Sequence, residues 1–162
     1  MTQHSFNTQV SIELADDHEL IKGMTEAWFD KVFIGIETPH EASLMECNKF
    51  KNENRDLLRS VNTLQKEGLE VTGGFTVGFD NDPSSIFESQ AEFIQRSGIV
   101  TAMVGLLTAL PDTKLYQRLH HENRILKQST GDNTDFTVNF VPKMKTEELI
   151  KGYTKLLINL FA

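Results

Sequence analysis

The sequence predicts an α/β fold built on one open parallel sheet. Strand-like runs stand at Asn7–Leu14, Val32–Glu37, Val71–Asp80 and Ile99–Leu107. Helix-patterned segments separate them, the signature of parallel strands joined by crossovers. Four or five such strands do not close a barrel, and 162 residues fall short of the ~250 of a complete eight-stranded α/β barrel. An open sheet, or an arc of one, is the expectation.

Asn7–Leu14 alternates polar and apolar residues, as a strand with one drier face does. Asp16 or Asp17 then caps a helix to about Phe29, with Leu20, Met24, Ala27 and Trp28 at inward spacing. Val32-Phe33-Ile34-Gly35-Ile36-Glu37 is the most apolar strand and is expected to be buried on both faces, ending at Thr38-Pro39. A short helix at Glu41–Cys47 and a polar run, Asn48–Glu53, lead into a helix from about Asn54 to Glu67, with Leu57, Leu58, Val61 and Leu64 on one face. Gly68 stops it.

Val71-Thr72-Gly73-Gly74-Phe75-Thr76-Val77-Gly78-Phe79-Asp80 is the stretch the chain is organised around. Glycines weaken a strand, so their density asks for another backbone or a flat ligand close by. Pro83 opens the next helix, which carries Ile86, Phe87, Ala91, Phe93 and Ile94 and stops at Gly98. Ile99–Leu107 reads as a buried strand and Thr113–Glu122 as a helix with Leu115, Tyr116 and Leu119 inward. A loop over Gln128–Asp135, a short strand or extended segment over Phe136–Val141, and a last helix from Thr146 to about Phe161 complete the chain.

Composition narrows the function. A hydrophobic share of 39% and a charged share of 24% are ordinary for a globular protein. The net charge of -7 argues against nonspecific nucleic-acid binding and against an anionic membrane surface. The single cysteine, Cys47, excludes an internal disulfide and by itself builds no iron–sulfur site. No apolar run approaches the ~20 residues of a membrane span, and the polar start does not read as a signal peptide. The expected location is the cytoplasm.

Working residues of βα folds lie at the carboxyl ends of strands, here Glu13, Glu37, Asp80 and the Ala109–Thr113 turn. Glu37 is the sharpest candidate: a carboxylate directly after apolar strand residues can accept hydrogen bonds from hydroxyls or an ammonium group, or else cap the next helix. Asp80 and Asp82 are expected to cap the helix at Pro83 rather than bind metal. Lys49 and Lys51 follow the Glu37 strand closely enough to reach a ligand carboxylate. Cys47 has no evident histidine partner and reads as packing, and the five histidines show no metal-binding spacing.

Taken in order, Val32–Pro39, Glu46-Cys47-Asn48-Lys49, Gly68–Asp80 and Leu110-Pro111-Asp112-Thr113-Lys114-Leu115-Tyr116 resemble the later part of a radical S-adenosylmethionine (SAM) core. The pattern is most similar to the cobalamin-binding-domain radical SAM proteins, Fe–S oxidoreductases by common description. The resemblance runs over about residues 5–125. It implies a partial TIM-like (β/α)6 barrel, with strands three to six in residues 1–125 and a post-barrel helical extension in 126–162. It also implies SAM, a [4Fe–4S] cluster on a CxxxCxxC loop that this sequence does not carry, and cobalamin as a further cofactor of the parent enzyme. This chain would then be a part that is inactive alone, partnered by the missing N-terminal part of the same enzyme and acting on a small molecule.

Position by position, the resemblance implies that Glu37 contacts the ribose or methionine portion of SAM and that Lys49 lies near its carboxylate. Gly74 to Gly78 matches the strand that lies against adenine, with Phe75 and Val77 as its apolar side chains. Thr76 stands where isoleucine is usual, and Asp112 where glycine is usual. A noncatalytic α/β binding module that kept the fold without the cluster is the rival reading; a barrel-derived lyase or isomerase lacks an acid–base pair. The strand at Asn7–Leu14 is expected to leave an unpaired edge that invites edge-to-edge dimerisation.

Overall fold

A computed structural model describes residues 4–129 and 137–161. Among them, β1 (Phe6–Val10), β2 (Phe29–Glu37), β3 (Glu70–Val77) and β4 (Thr101–Leu106) form one parallel sheet in that spatial order. Helices α1 (His18–Glu26), α2 (Glu41–Glu46), α3 (Leu57–Lys66), α4 (Ile86–Ser97), α5 (Lys114–His121) and α6 (Thr146–Phe161) fill the connections and the end of the chain. This is the expected α/β architecture: an open four-stranded parallel sheet with helices, the arc of a partial barrel.

Strand β1 is shorter than its alternating pattern predicts. Ser11 accepts a hydrogen bond from the Glu13 amide and starts a 3-10 turn over Ile12–Asp16, which buries Ile12, Leu14 and Ala15. The alternation continued past Val10 because a tight turn also sends every second or third residue inward. In α1, Asp17 caps the Leu20 amide, but the inward stripe is Ile21 with half-buried Met24. Leu20 is on the outer side of the helix and exposed, and Trp28 is exposed because the helix ends at Glu26 and the chain turns there at φ 67.

The sheet has two unlike faces. Val32, Ile34 and Ile36 of β2 and Val71, Phe75 and Val77 of β3 are buried under the helices. Phe33, Gly35 and Glu37, with Gly74 and Thr76, lie on the opposite face and are half-buried. The expectation that β2 is buried on both faces is therefore corrected: hydrophobic continuity here records one helix-packed face and one face shared with glycine and an ion pair. β4 is an edge strand, with Met103 exposed, rather than a buried one.

Asp56 caps the Arg59 amide of α3, which packs through Leu57, Val61 and Leu64. Gly68 leaves that helix at φ 97, a conformation open to glycine. Helix α6 closes a second core, packing Leu149, Tyr153 and Leu156 with Val77, Ile86 and Phe87. The Tyr153 hydroxyl donates to the Val104 carbonyl at 2.9 Å. The expected loop over Gln128–Asp135 and the start of the segment at Phe136 lie mostly outside the described residues. Its described end forms an isolated antiparallel bridge, Ile125 with Phe140. No helix among the described residues is long and apolar enough to cross a membrane.

Candidate functional site

The carboxyl end of β2 does not stop as a regular strand. Gly35 pairs with Gly74, but the next partner of Phe75 is Glu37, so Ile36 is an extra residue and the register slips. Glu37 has φ 66, and the Thr38 amide donates back to the Ile36 carbonyl at 2.9 Å. That is a three-residue turn of the strained kind, and such strain concentrates where a side chain must be aimed.

The aimed group is the Glu37 carboxylate. Its Oε1 meets Lys49 Nζ at 2.9 Å, and its Oε2 accepts from Thr76 Oγ1 at 3.2 Å. Gly35 lies beneath: a Cβ there would stand 2.7 Å from Glu37 Oε1 and 2.9 Å from Lys49 Nζ. Glycine at this position is therefore what lets the pair close over the sheet. Asn52, buried in the loop after α2, donates its Nδ2 to the Gly35 carbonyl at 3.1 Å and the Ile36 carbonyl at 3.0 Å. It thereby satisfies carbonyls at the irregular end of the strand. A cleft of about 490 Å³ opens beside the pair, lined by Val10, Ser11, Gly35, Lys49, Phe50 and Asn52.

The glycine-rich strand contributes less uniformly than its sequence implies. The side chains of Phe75 and Val77 turn into the helix-side cores, Phe75 edge-on to Phe93 with ring centroids 6.0 Å apart. On the Glu37 face β3 offers Gly74, Thr76 and backbone. A Cβ on Gly74 would meet the Phe33 ring at 2.8 Å, so this glycine makes room for an aromatic of the neighbouring strand. Next to Thr76 on β4, Gly105 has open space where a side chain would stand. Gly78 leaves the strand at φ 109.

Beyond the strand ends a buried ionic cluster takes over. Asp80 accepts from Arg124 through both oxygens, at 2.6 and 2.7 Å, and from Arg118 at 2.6 Å. Burial pushes the Asp80 carboxyl up, but the two guanidiniums outweigh it and hold it at about 2. Asp82 accepts from the Gly78 and Phe79 amides and from Ser43 Oγ, while burial raises its carboxyl. Neither aspartate caps α4, whose first turn at Ser85 has no side-chain cap bond. Their expected capping role is corrected: the loop folds back and presents both carboxylates to other partners. Lys51 pairs with Glu13 at 2.5 Å and lines the same cleft as Lys49. Cys47 donates to the Leu44 carbonyl, and burial pushes its thiol up to about 11, which suits packing and not nucleophilic work. Asp112, at the turn where glycine is usual, has φ 65.

Glu37, Lys49 and Thr76 are thus brought together with Gly35 beneath them. Asn52, Glu46, Arg118 and Arg124 join the surroundings without having been singled out. Asn52 sits in a polar run that reads as solvent-facing, and the arginines meet Asp80 from 38 and 44 residues away.

A family model described as a domain of unknown function, DUF4070, matches residues 113–162. A protein named as an uncharacterized methyltransferase from a Synechocystis species is 40% identical over 96% of this chain and 29% of its own length. The hopanoid C-2 methylase of Rhodopseudomonas palustris is 34% identical over 82% of the chain and 25% of its own length. The bacteriochlorophyllide d C-12(1)-methyltransferase of Chlorobaculum tepidum is 24% identical over 93% of the chain and 33% of its own length. The chain is a relative of named methyltransferases. It spans about a quarter to a third of their length.

Proposed function

We propose that these residues form part of the SAM site and the substrate-side wall of a radical SAM enzyme of the methyltransferase type. The single observation that carries this reading is the strained Glu37, aimed across Gly35 at Lys49 and Thr76 at the carboxyl end of the sheet. The kinship with named methyltransferases supports it.

The residues fit such a ligand. Glu37 would accept hydrogen bonds from ribose hydroxyls or the methionine ammonium. Lys49 would turn from Glu37 to the methionine carboxylate, an exchange of one carboxylate partner for another. A flat adenine would approach the sheet beside Thr76, where Gly105 leaves open space. Over Gly74 it would have to displace the Phe33 ring, and Gly78 is covered by Leu149. Phe75 and Val77 hold the strand from behind rather than touching the adenine. Bound SAM supplies the methyl or adenosyl group of the reaction; the chain's own part is to grip and orient it.

The residues do not fit the iron–sulfur cluster. Cys47 is the only cysteine of the sequence and its thiol is turned to a backbone carbonyl. A cluster, and cobalamin with it, would have to be held by residues other than these.

Equilibrium binding of SAM to the full-length protein and to its Glu37→Gln variant tests this reading. Losing a charged acceptor should weaken binding by roughly tenfold, the scale of a charge-assisted hydrogen bond. Equal affinity in the two proteins would overturn the assignment and leave a noncatalytic binding module as the better account.

A further inference from the structure

The loop after β3 holds four successive amides without backbone acceptors among the described residues. Gly78 and Phe79 donate to Asp82 Oδ2 at 2.8 and 3.1 Å, and Asp80 and Asn81 donate to the two oxygens of Glu46 at 3.2 and 3.0 Å. The conformation of that loop is therefore set by where two carboxylates are held. The side chains of Glu46 and Asp80 are 9% and 3% exposed, so each needs a charged partner to stay ionised there. Both partners come from the far end of the chain. Arg118 bridges the two, Nη1 to Asp80 at 2.6 Å and Nη2 to Glu46 at 2.7 Å. Arg124 chelates Asp80 and is tied back by its Nε to the Val141 carbonyl at 2.8 Å.

We propose that Arg118 and Arg124 are positioning residues, through which the segment matched by the domain of unknown function sets the geometry of the Glu37–Lys49 site. Two routes lead there. One runs through Asp80 to the loop that ends the glycine-rich strand. The other runs through Glu46, the last residue of α2, to Lys49 three residues on, whose amide returns to the Leu44 carbonyl at 3.0 Å. A planar fork is required at Arg118, because one ammonium cannot reach two carboxylates in separate directions with the same geometry. The ligand-binding half of this inference rests on the reading of the site given above; the ordering half does not.

The test uses the full-length protein and two readouts, amide hydrogen exchange and SAM affinity. In Arg118→Gln, exchange across 78–81 and 48–52 should accelerate at least tenfold well below the melting temperature, and SAM should bind several-fold more weakly. Arg118→Lys, which keeps the charge and loses the bridge, should behave like Arg118→Gln. Leu119→Ala, which opens a cavity at the neighbouring buried residue, should lower the melting temperature and leave local exchange in both segments unchanged. Unaltered exchange in Arg118→Gln, or full recovery in Arg118→Lys, overturns the proposal. Faster exchange with unchanged SAM affinity, where Glu37→Gln does weaken it, overturns the reach to the site. Loss of effect in Glu37→Gln sinks the ligand reading instead and leaves the ordering role to be judged on exchange.

Discussion

Glu37 Oε1 lies 2.9 Å from Lys49 Nζ, and the two side chains meet over the bare Cα of Gly35. The pair is partly exposed, so its direct contribution to stability is small, ~0–1 kcal/mol. Its value lies in where it places a carboxylate and an ammonium, and the backbone is strained to do so.

Replacing Glu37 by glycine should separate the two roles. Relief of the left-handed backbone returns about 1 kcal/mol, and loss of the exposed pair removes a similar amount or less. Thermal unfolding of Glu37→Gly should thus match the wild type within about 1 kcal/mol while SAM binding falls. A large loss of stability would show that the turn at Glu37 is held by more than its side-chain contacts.

Asp80 makes a prediction about acid. Its folded carboxyl sits at about 2, below its ordinary 3.8. The stability it contributes is therefore full above the ordinary value and is lost as pH falls from there through about 2. The size is about 2 kcal/mol, and Asp80→Asn should unfold with a correspondingly flatter acid limb. Denaturant midpoints measured from about pH 5 down to pH 2 check this; parallel curves for the two proteins would rule it out.

Gln90 is fully buried on α4, and neither its Oε1 nor its Nε2 has a partner among the described residues. A buried amide without partners costs about 1–3 kcal/mol. Gln90→Leu should raise the melting temperature, and a fall would mean that the amide is satisfied in solution, for example by a trapped water.

Gly152 marks the contact between α4 and α6. A Cβ there would overlap the Phe87 ring. Alanine in a helix interior normally gains about 1 kcal/mol over glycine, yet Gly152→Ala should lose about 1–3 kcal/mol through overpacking. A stabilised variant would mean that the two helices can separate without loss.

The fold was legible because local signals agree with one another. Alternation, the cap at Asp17, the helix start at Thr113 and the stop at Gly68 all rest on residues within a few positions. The strand that carries Glu37 was visible for the same reason. On α1 Met24 was legible as inward, but Ile21 was not, since choosing Ile21 over Leu20 depends on the angle at which the helix meets the sheet. Asp80 and Asp82 look like helix caps by spacing alone, and only the placement of Arg118, Arg124 and Ser43 turns them elsewhere.

The sequence by itself determined the order of strands and helices, the glycine-rich strand, and Glu37 and Lys49 as candidates near one sheet end. Periodicity and capping act over one or two turns, and they are written in consecutive residues. Tertiary structure alone decided that Phe75 and Val77 face the helices, that Gly35 makes room for the ion pair, and that Asn52, Glu46 and Arg118 hold the site's surroundings. Those outcomes depend on strand register and on contacts between residues tens of positions apart, which no local pattern encodes.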